Sequence, residues 1–256
     1  MIKQVDFNYQ DIEKYNTIVL CYLNHYVDPI HKSIKRIETS SFSALECSNY
    51  NNAMLITDWN FEIDQNFNQL KEQYNPNFLL NFTHSQYNNQ TLDQSVEFKE
   101  NYKYMKMDLA PAAKFNIDLA NNVEIIQVKE QEDLNSFLYV VDIMEVNLVS
   151  DKNKFIGLLE LQDYCHMFLI KVNGQVAGTG SIFMFENGYA VVDDINVLPE
   201  FRNQGLASNL IKTIVNDCIE HNMQHVLLFA SEMGMGLYQR VGFIDEDFWF
   251  EQYKIK

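Results

Sequence analysis

Residues 191–243 read VVDDINVLPEFRNQGLASNLIKTIVNDCIEHNMQHVLLFASEMGMGLYQRVGF, and this stretch decides the fold. A strand over Tyr189–Val197 must stop at Pro199, because proline has no N–H with which to extend a ladder. The run Arg202-Asn203-Gln204-Gly205-Leu206-Ala207 then leads into a helix over 206–219. Its apolar residues Leu206, Leu210, Ile211, Ile214, Val215, Cys218 and Ile219 recur on one helical face. A short buried strand follows at 226–230, a short helix at 237–241 and a closing strand at 248–255. Gly205 and the small Ala207 let another molecule approach the backbone. The first helical turn offers N–H groups without partners at the positive end of the helix dipole. Together these describe an anion site, most often one for phosphate; the competing reading is a glycine kept for steric reasons. Neither G-x-x-x-x-G-K-[ST] nor G-x-G-x-x-G occurs anywhere in the chain.

Outward from this stretch, the same alternation of periods continues. Residues 123–128 (VEIIQV) predict a strand and 134–148 a helix. Residues 167–172 and 175–185 predict a hairpin around Asn173-Gly174, a strong turn signal. The second half, 121–256, is therefore a mixed α/β domain. In the first half, 53–57 (AMLIT) reads as a strand and 61–74 as a helix carrying Phe61, Phe67 and Leu70. Residues 78–82 (FLLNF) and 96–109 (VEFKENYKYMKMDL) follow as strands, with a polar stretch between them as a candidate second helix. This order of elements recurs in both halves, which makes 1–120 a candidate degenerate repeat of 121–256; the alternative is an unrelated α/β domain. The boundary falls in 108–122, a weakly patterned stretch with Pro111 and a closing Asn pair.

A length of 256 residues fits one or two domains at about 150 residues each. A hydrophobic content of 47% excludes global disorder. With Lys+Arg 19 against Asp+Glu 35, the net charge of −16 argues against a nucleic-acid partner, whose phosphates need basic neutralisation, and against an anionic membrane surface. No stretch approaches the roughly 20 apolar residues of a membrane span, and the first residues lack an apolar signal core. The expected setting is cytoplasmic, with Cys21, Cys47, Cys165 and Cys218 as reduced thiols, most of them buried. All nine glycines lie at or after Gly157, so a phosphate cradle built from backbone belongs in the second half.

The stretch 191–243 resembles the GNAT superfamily of acyl-CoA-dependent N-acetyltransferases. Its pattern V-x-P-x-x-[QR]-x-x-G-x-[GA] matches at Val197, Pro199, Arg202, Gly205 and Ala207. Its later L-Y-x-x-x-G-F matches at Leu237, Tyr238, Gly242 and Phe243. The resemblance covers 123–256 and fades before that. It implies that the turn from Arg202 and Asn203 through Gln204, Gly205, Leu206, Ala207 and Ser208 holds the coenzyme A pyrophosphate. It also implies that the backbone of Ile195, Asn196 and Val197 pairs with the pantetheine arm, and that the helix beginning at Ser231, where many relatives have Asn, packs near the thiol end. Tyr238 matches the position the family often uses as the acid for the leaving thiolate, the alternative being that it only packs the cofactor.

Attack of an amine on a thioester needs a base, or a fraction of free amine, and donors for the developing oxyanion. Asp193 and Asp194 precede the motif. Successive strand residues face opposite sides, so one of the two should point into the cleft unless a bulge intervenes. They are candidates for the base or for electrostatic attraction of a cationic acceptor. Cys165 and His166 adjoin in a strand and cannot form a dyad with each other. His221 and His225 flank a helix end and read as satisfied or solvated, and no metal-ligand spacing is recognisable. Met233 and Met235 are an acyl-pocket lining or gap fillers. Residues 245–250 (DEDFWF) are a solvated edge or a substrate wall. In the first half, residues 61–66 (FEIDQN) replace the glycine-bearing turn with two acids, so one coenzyme site per chain is expected. The resulting function is acetyl-CoA-dependent N-acetyl transfer to a small cationic amine such as an amino acid, polyamine or antibiotic. A peptide or protein acetyltransferase and a non-catalytic acyl-CoA-binding protein are the competing readings. An oligomer is compatible with all three.

Overall fold

A computed structural model describes residues 35–38, 43–47, 53–56, 70–72, 74, 76–83, 96–109, 113–144, 159, 162, 163, 165–185 and 187–256. The strands are β1 (Lys35–Glu38), β2 (Ser43–Cys47), β3 (Ala53–Ile56), β4 (Phe78–Thr83), β5 (Val96–Asp108) and β6 (Val123–Gln127), then β7 (Cys165–Val172), β8 (Gln175–Met184), β9 (Tyr189–Val197), β10 (His225–Ala230) and β11 (Ile244–Ile255). The helices are α1 (Gln131–Met144), α2 (Leu206–Glu220) and α3 (Glu232–Val241), with a 3-10 turn at Pro199–Phe201. The predicted helix at 61–74 and the acidic turn at 61–66 lie mostly or wholly outside the described residues.

Among the described residues all strands join one mixed 11-stranded sheet, ordered β1-β2-β3-β4-β11-β5-β10-β9-β8-β7-β6. The predicted hairpin is present. Asn173 and Gly174 adopt φ of 51° and 77°, the paired positive values that suit a two-residue turn to the twist of β7 and β8. β8 is buried along most of its length, so both its faces are covered. Phe168, Ile170 and Val172 of β7 join the cluster beneath α2. The alternate residues Met167 and Leu169 are buried on the other face, where α1 packs. Leu210, Ile211, Ile214, Val215 and Cys218 of α2 are wholly buried, and the aliphatic ones each contribute about 1.5–3 kcal/mol of burial.

Around the centre of the sheet the order of pairings is mirrored. β1–β2 and β2–β3 are antiparallel, β3–β4 is parallel, and β4 meets β11 antiparallel. On the other side β7–β8 and β8–β9 are antiparallel, β9–β10 is parallel, and β10 meets β5 antiparallel. Each half lays its closing strand beside the other half's strands, with β5 and β11 paired at the centre. The connection after β5 runs along α2: Phe115 exchanges hydrogen bonds with the Asn216 side chain, and Lys114 pairs with Glu220 at 2.6 Å.

Candidate active site

β9 and β10 are paired only where His225–Leu227 meets Tyr189–Val191. Beyond that they diverge, and an open cleft of about 690 Å³ lies there. Its lining includes residues 192–197, the turn at 201–208, Phe229, Ser231, Tyr238 and, from the central strands, Glu100, Tyr102, Phe250 and Gln252. Every predicted site residue except Gln204 lines this cleft, and Gln204 lies within its 201–208 turn.

At one end stands the N-terminus of α2. Gly205 caps it at φ 74°, in the left-handed region that favours glycine. No side chain caps this terminus and no acid lies in its first turn. A Cβ added at Gly205 would meet no protein atom within 4 Å. Nothing in the protein therefore crowds Gly205, and the residues of this first turn line the cleft at the positive end of the helix dipole. Arg202 anchors the turn, its Nε donating to the Val197 carbonyl at 3.0 Å. This donor set suits a pyrophosphate: backbone N–H groups, a helix terminus and a guanidinium, with no carboxylate in the turn.

Mid-cleft, β9 contains a bulge. Thr179 pairs with Asn196 and Ser181 with Asp193, so Asp194 and Ile195 together oppose Gly180 alone. Asp194 takes φ 54°. Its carbonyl accepts from Thr179 Oγ1 at 2.9 Å and from Asn196 Nδ2 at 3.2 Å, and its carboxylate accepts from Ser181 Oγ at 2.9 Å. Asp194 is buried, whereas Asp193 is half-buried and accepts the Asp194 N–H at 2.9 Å. The bulge breaks the simple alternation, and both aspartates contribute to the lining.

Tyr238 sits on α3, buried to 8% exposure, its ring edge-on to Phe243 at 5.9 Å. Gly242 ends α3 at φ 116°, which lets the Phe243 N–H reach back to the Tyr238 carbonyl at 3.0 Å. The spacing L-Y-x-x-x-G-F thus encodes a helix end that fixes the tyrosine. A Cβ on Gly234 would stand 2.9 Å from Tyr238 Cε2, so that glycine makes room for the ring. Burial, reinforced by the negative Asp193, holds the Tyr238 phenol well above its ordinary pKa and keeps it protonated.

At the far end lies a cluster that local patterns did not reveal. Tyr102 and Phe229 each pack on Phe250, at 6.1 and 5.6 Å, and Glu100 accepts the Tyr102 hydroxyl at 2.6 Å. Among the described side chains of 245–250, Phe250 lines the cleft, while Trp249 carries Lys103 Nζ 4.2 Å from its ring centroid. Met233 is 80% exposed at the cleft edge. Cys165 and Cys218 are buried thiols outside any disulfide, and burial pushes the Cys218 thiol far up, so it is inert as a nucleophile.

Residues 132–243 match the family model described as Acetyltransferase (GNAT) family. Comparison with curated proteins gives no significant match. Among solved structures, a GCN5-related N-acetyltransferase from Kribbella flavida is 12% identical, with 93% of this chain and 94% of that one covered and a TM-score of 0.65. One from Sphaerobacter thermophilus is 11% identical over 84% and 76% of the two chains, with a TM-score of 0.62. A GCN5-related N-acetyltransferase-like protein from Streptococcus suis is 13% identical over 91% and 92%, with a TM-score of 0.57. At such identities these are likenesses of fold. No helix among the described residues is long and apolar enough to cross a membrane. The family match falls on the segment that carries both motifs and most of the cleft, and residues 132–243 belong to the GNAT acetyltransferase superfamily.

Proposed function

We propose that the chain is an acetyl-CoA-dependent N-acetyltransferase whose acceptor is the primary amine of a small cationic molecule. The observation that carries this reading is the continuity of one cleft, from the uncapped helix terminus at Gly205, past the β9 bulge and Tyr238, to an acidic and aromatic end at Glu100, Tyr102 and Phe250. The first end suits the pyrophosphate of coenzyme A. The edge of β9 left unpaired by β10 after Val191 suits the amide-bearing pantetheine arm. The Glu100 carboxylate and the ring faces at the other end suit an ammonium.

In this reading the acceptor ammonium gives a proton to Asp193 or to water, and its lone pair attacks the thioester carbonyl. The C–N bond forms as the C–S bond breaks; the thiolate takes its proton from the Tyr238 hydroxyl, and the second proton shed by the acylated nitrogen restores the phenol through solvent, giving an amide and free coenzyme A. Asp193 is the better base of the pair, because it is only half-buried in the cleft lining, whereas Asp194 is buried with its carboxylate bound to Ser181 and braces the bulge. Backbone N–H groups at the bulge are the candidate donors to the developing oxyanion. The chain as a whole would hold one coenzyme site, with the first half a degenerate partner that supplies Glu100 and Tyr102 to the acceptor end.

The test is steady-state release of free thiol from acetyl-CoA with a panel of amino acids, polyamines and aminoglycosides. Turnover with a small cationic amine supports the proposal. Turnover confined to lysine-bearing peptides would replace it with a peptide acetyltransferase. Binding of acetyl-CoA without turnover of any amine would leave an acyl-CoA-binding protein.

A further inference from the structure

At the far end of α2 from the cleft, His166 of β7 meets Asp217 and His221. His166 Nδ1 lies 2.6 Å from Asp217 Oδ2, and the two imidazole rings stand edge to face with centroids 4.9 Å apart. One ligand-capable atom from each of the three residues lies within 4.8 Å of the others. His166 is buried, Asp217 is largely buried and His221 is about half exposed.

The second ring nitrogens decide what this cluster is for. His166 Nε2 lies 2.8 Å from the Gln162 carbonyl, and His221 Nδ1 lies 2.8 Å from the Asp217 carbonyl. A carbonyl oxygen can only accept, so each of these nitrogens carries the proton. In the neutral tautomers fixed this way, the lone pairs belong to His166 Nδ1 and His221 Nε2. Donation of the remote N–H to a backbone carbonyl is the arrangement that orients metal-ligating histidines. A lone pair facing a carboxylate oxygen at 2.6 Å is repulsive unless a cation, either a proton or a metal ion, lies between them. The helix adds its own demand for positive charge. No basic residue lies in the last turn of α2, so the negative end of its dipole has no cation of its own. Glu220 is already paired with Lys114.

We propose that His166, Asp217 and His221 form a binding site for a divalent transition metal of the zinc type, with the remaining position open to solvent beside His221. Two imidazoles and one carboxylate suit zinc, cobalt or nickel and do not suit calcium or magnesium, which take all-oxygen sets. Ligand distances near 2.0–2.2 Å bring donor atoms about 3.3–3.5 Å apart. Rotation of the exposed His221 side chain closes the longer separations, while the Asp217 carboxylate turns so that its 2.6 Å contact with His166 Nδ1 opens by about 0.7–0.9 Å. Asp217 stands about 18 Å from Gly205 along the helix axis, too far for contact with the reacting atoms. The metal is therefore a clamp between β7 and the end of α2, and its site is independent of the cleft and of the reaction proposed for it.

The experiment is titration of the purified full-length chain, stripped with chelator, with zinc against a chromophoric competitor, and with cobalt followed by ligand-field absorption. The expected result is one metal per chain, an imidazole-type cobalt spectrum and a raised melting temperature. Replacing a buried residue risks misfolding, so the diagnostic variant is His221→Ala at the half-exposed ligand, with His225→Ala as control. His221→Ala should weaken binding by at least about tenfold, and His225→Ala should leave it unchanged. Absence of stoichiometric binding to the wild-type chain would overturn the proposal in favour of a bare imidazolium–carboxylate pair. Undiminished binding in His221→Ala would overturn it equally.

Discussion

Tyr238 combines burial with a cleft position, and its chemistry follows from the environment rather than from the residue type. A free phenol ionises near pH 10. Burial disfavours the phenolate, so the folded value is raised and the proton is retained through about pH 10, where a free phenol ionises. The rate should therefore climb with pH as the acceptor amine loses its proton, without the falling alkaline limb that an ordinary tyrosine would impose; initial rates between roughly pH 6 and 10 check this. Tyr238→Phe should lower kcat by about 10²-fold with little change in KM for acetyl-CoA, which steady-state kinetics will separate. Gly234→Ala places a methyl 2.9 Å from the ring. It should raise helix propensity yet reduce kcat by roughly 10²-fold through displacement of the phenol, with melting temperature measured alongside. Tyr238 was legible because its motif is local. The left-handed conformation of Asp194 was not, because nothing in an Asp-Asp pair announces a bulge.

Elements were legible where a single face is buried over a long run. The apolar spacing of 206–219 predicts α2 to within one residue of its observed end, and Asn173-Gly174 marks the turn between β7 and β8. α3 begins at Glu232 with Ser231 as its cap, where the resemblance puts the helix start, but five residues before the 237–241 read from local pattern, because Gly234 and Gly236 weaken that pattern while tertiary packing sustains it. The role of β5 lay beyond local reading. Its residues read as a strand, but only long-range pairing puts Glu100 and Tyr102 beside a cleft built nearly a hundred residues later. His166 and Asp217 met in the same way, from elements far apart in sequence. Ser181→Ala removes the hydroxyl that donates to the buried Asp194 carboxylate. This should cost about 1–3 kcal/mol in denaturant unfolding and slow turnover by loosening the bulge.

Across the whole molecule, the exchanged closing strands make the two halves interdependent. β5 lies between β10 and β11 in the interior of the sheet. Deleting residues 1–115 removes it and leaves the apolar edges of both neighbours open, so the truncated chain should aggregate or lose acceptor turnover, as size-exclusion chromatography and thiol release will report. An equally active, monodisperse second half would refute the partner role of the first. Glycine distribution puts any backbone-built cradle in the second half, and the left-handed start of α2, with no side-chain cap, has the donors that such a cradle requires. The most direct measurement is calorimetric titration of the full-length chain with acetyl-CoA, beside Gly205→Glu, whose side chain would enter the open space in front of those donors. The account predicts one site per chain in the wild type and none in the variant. No binding, two sites, or an affinity undiminished by Gly205→Glu would contradict it.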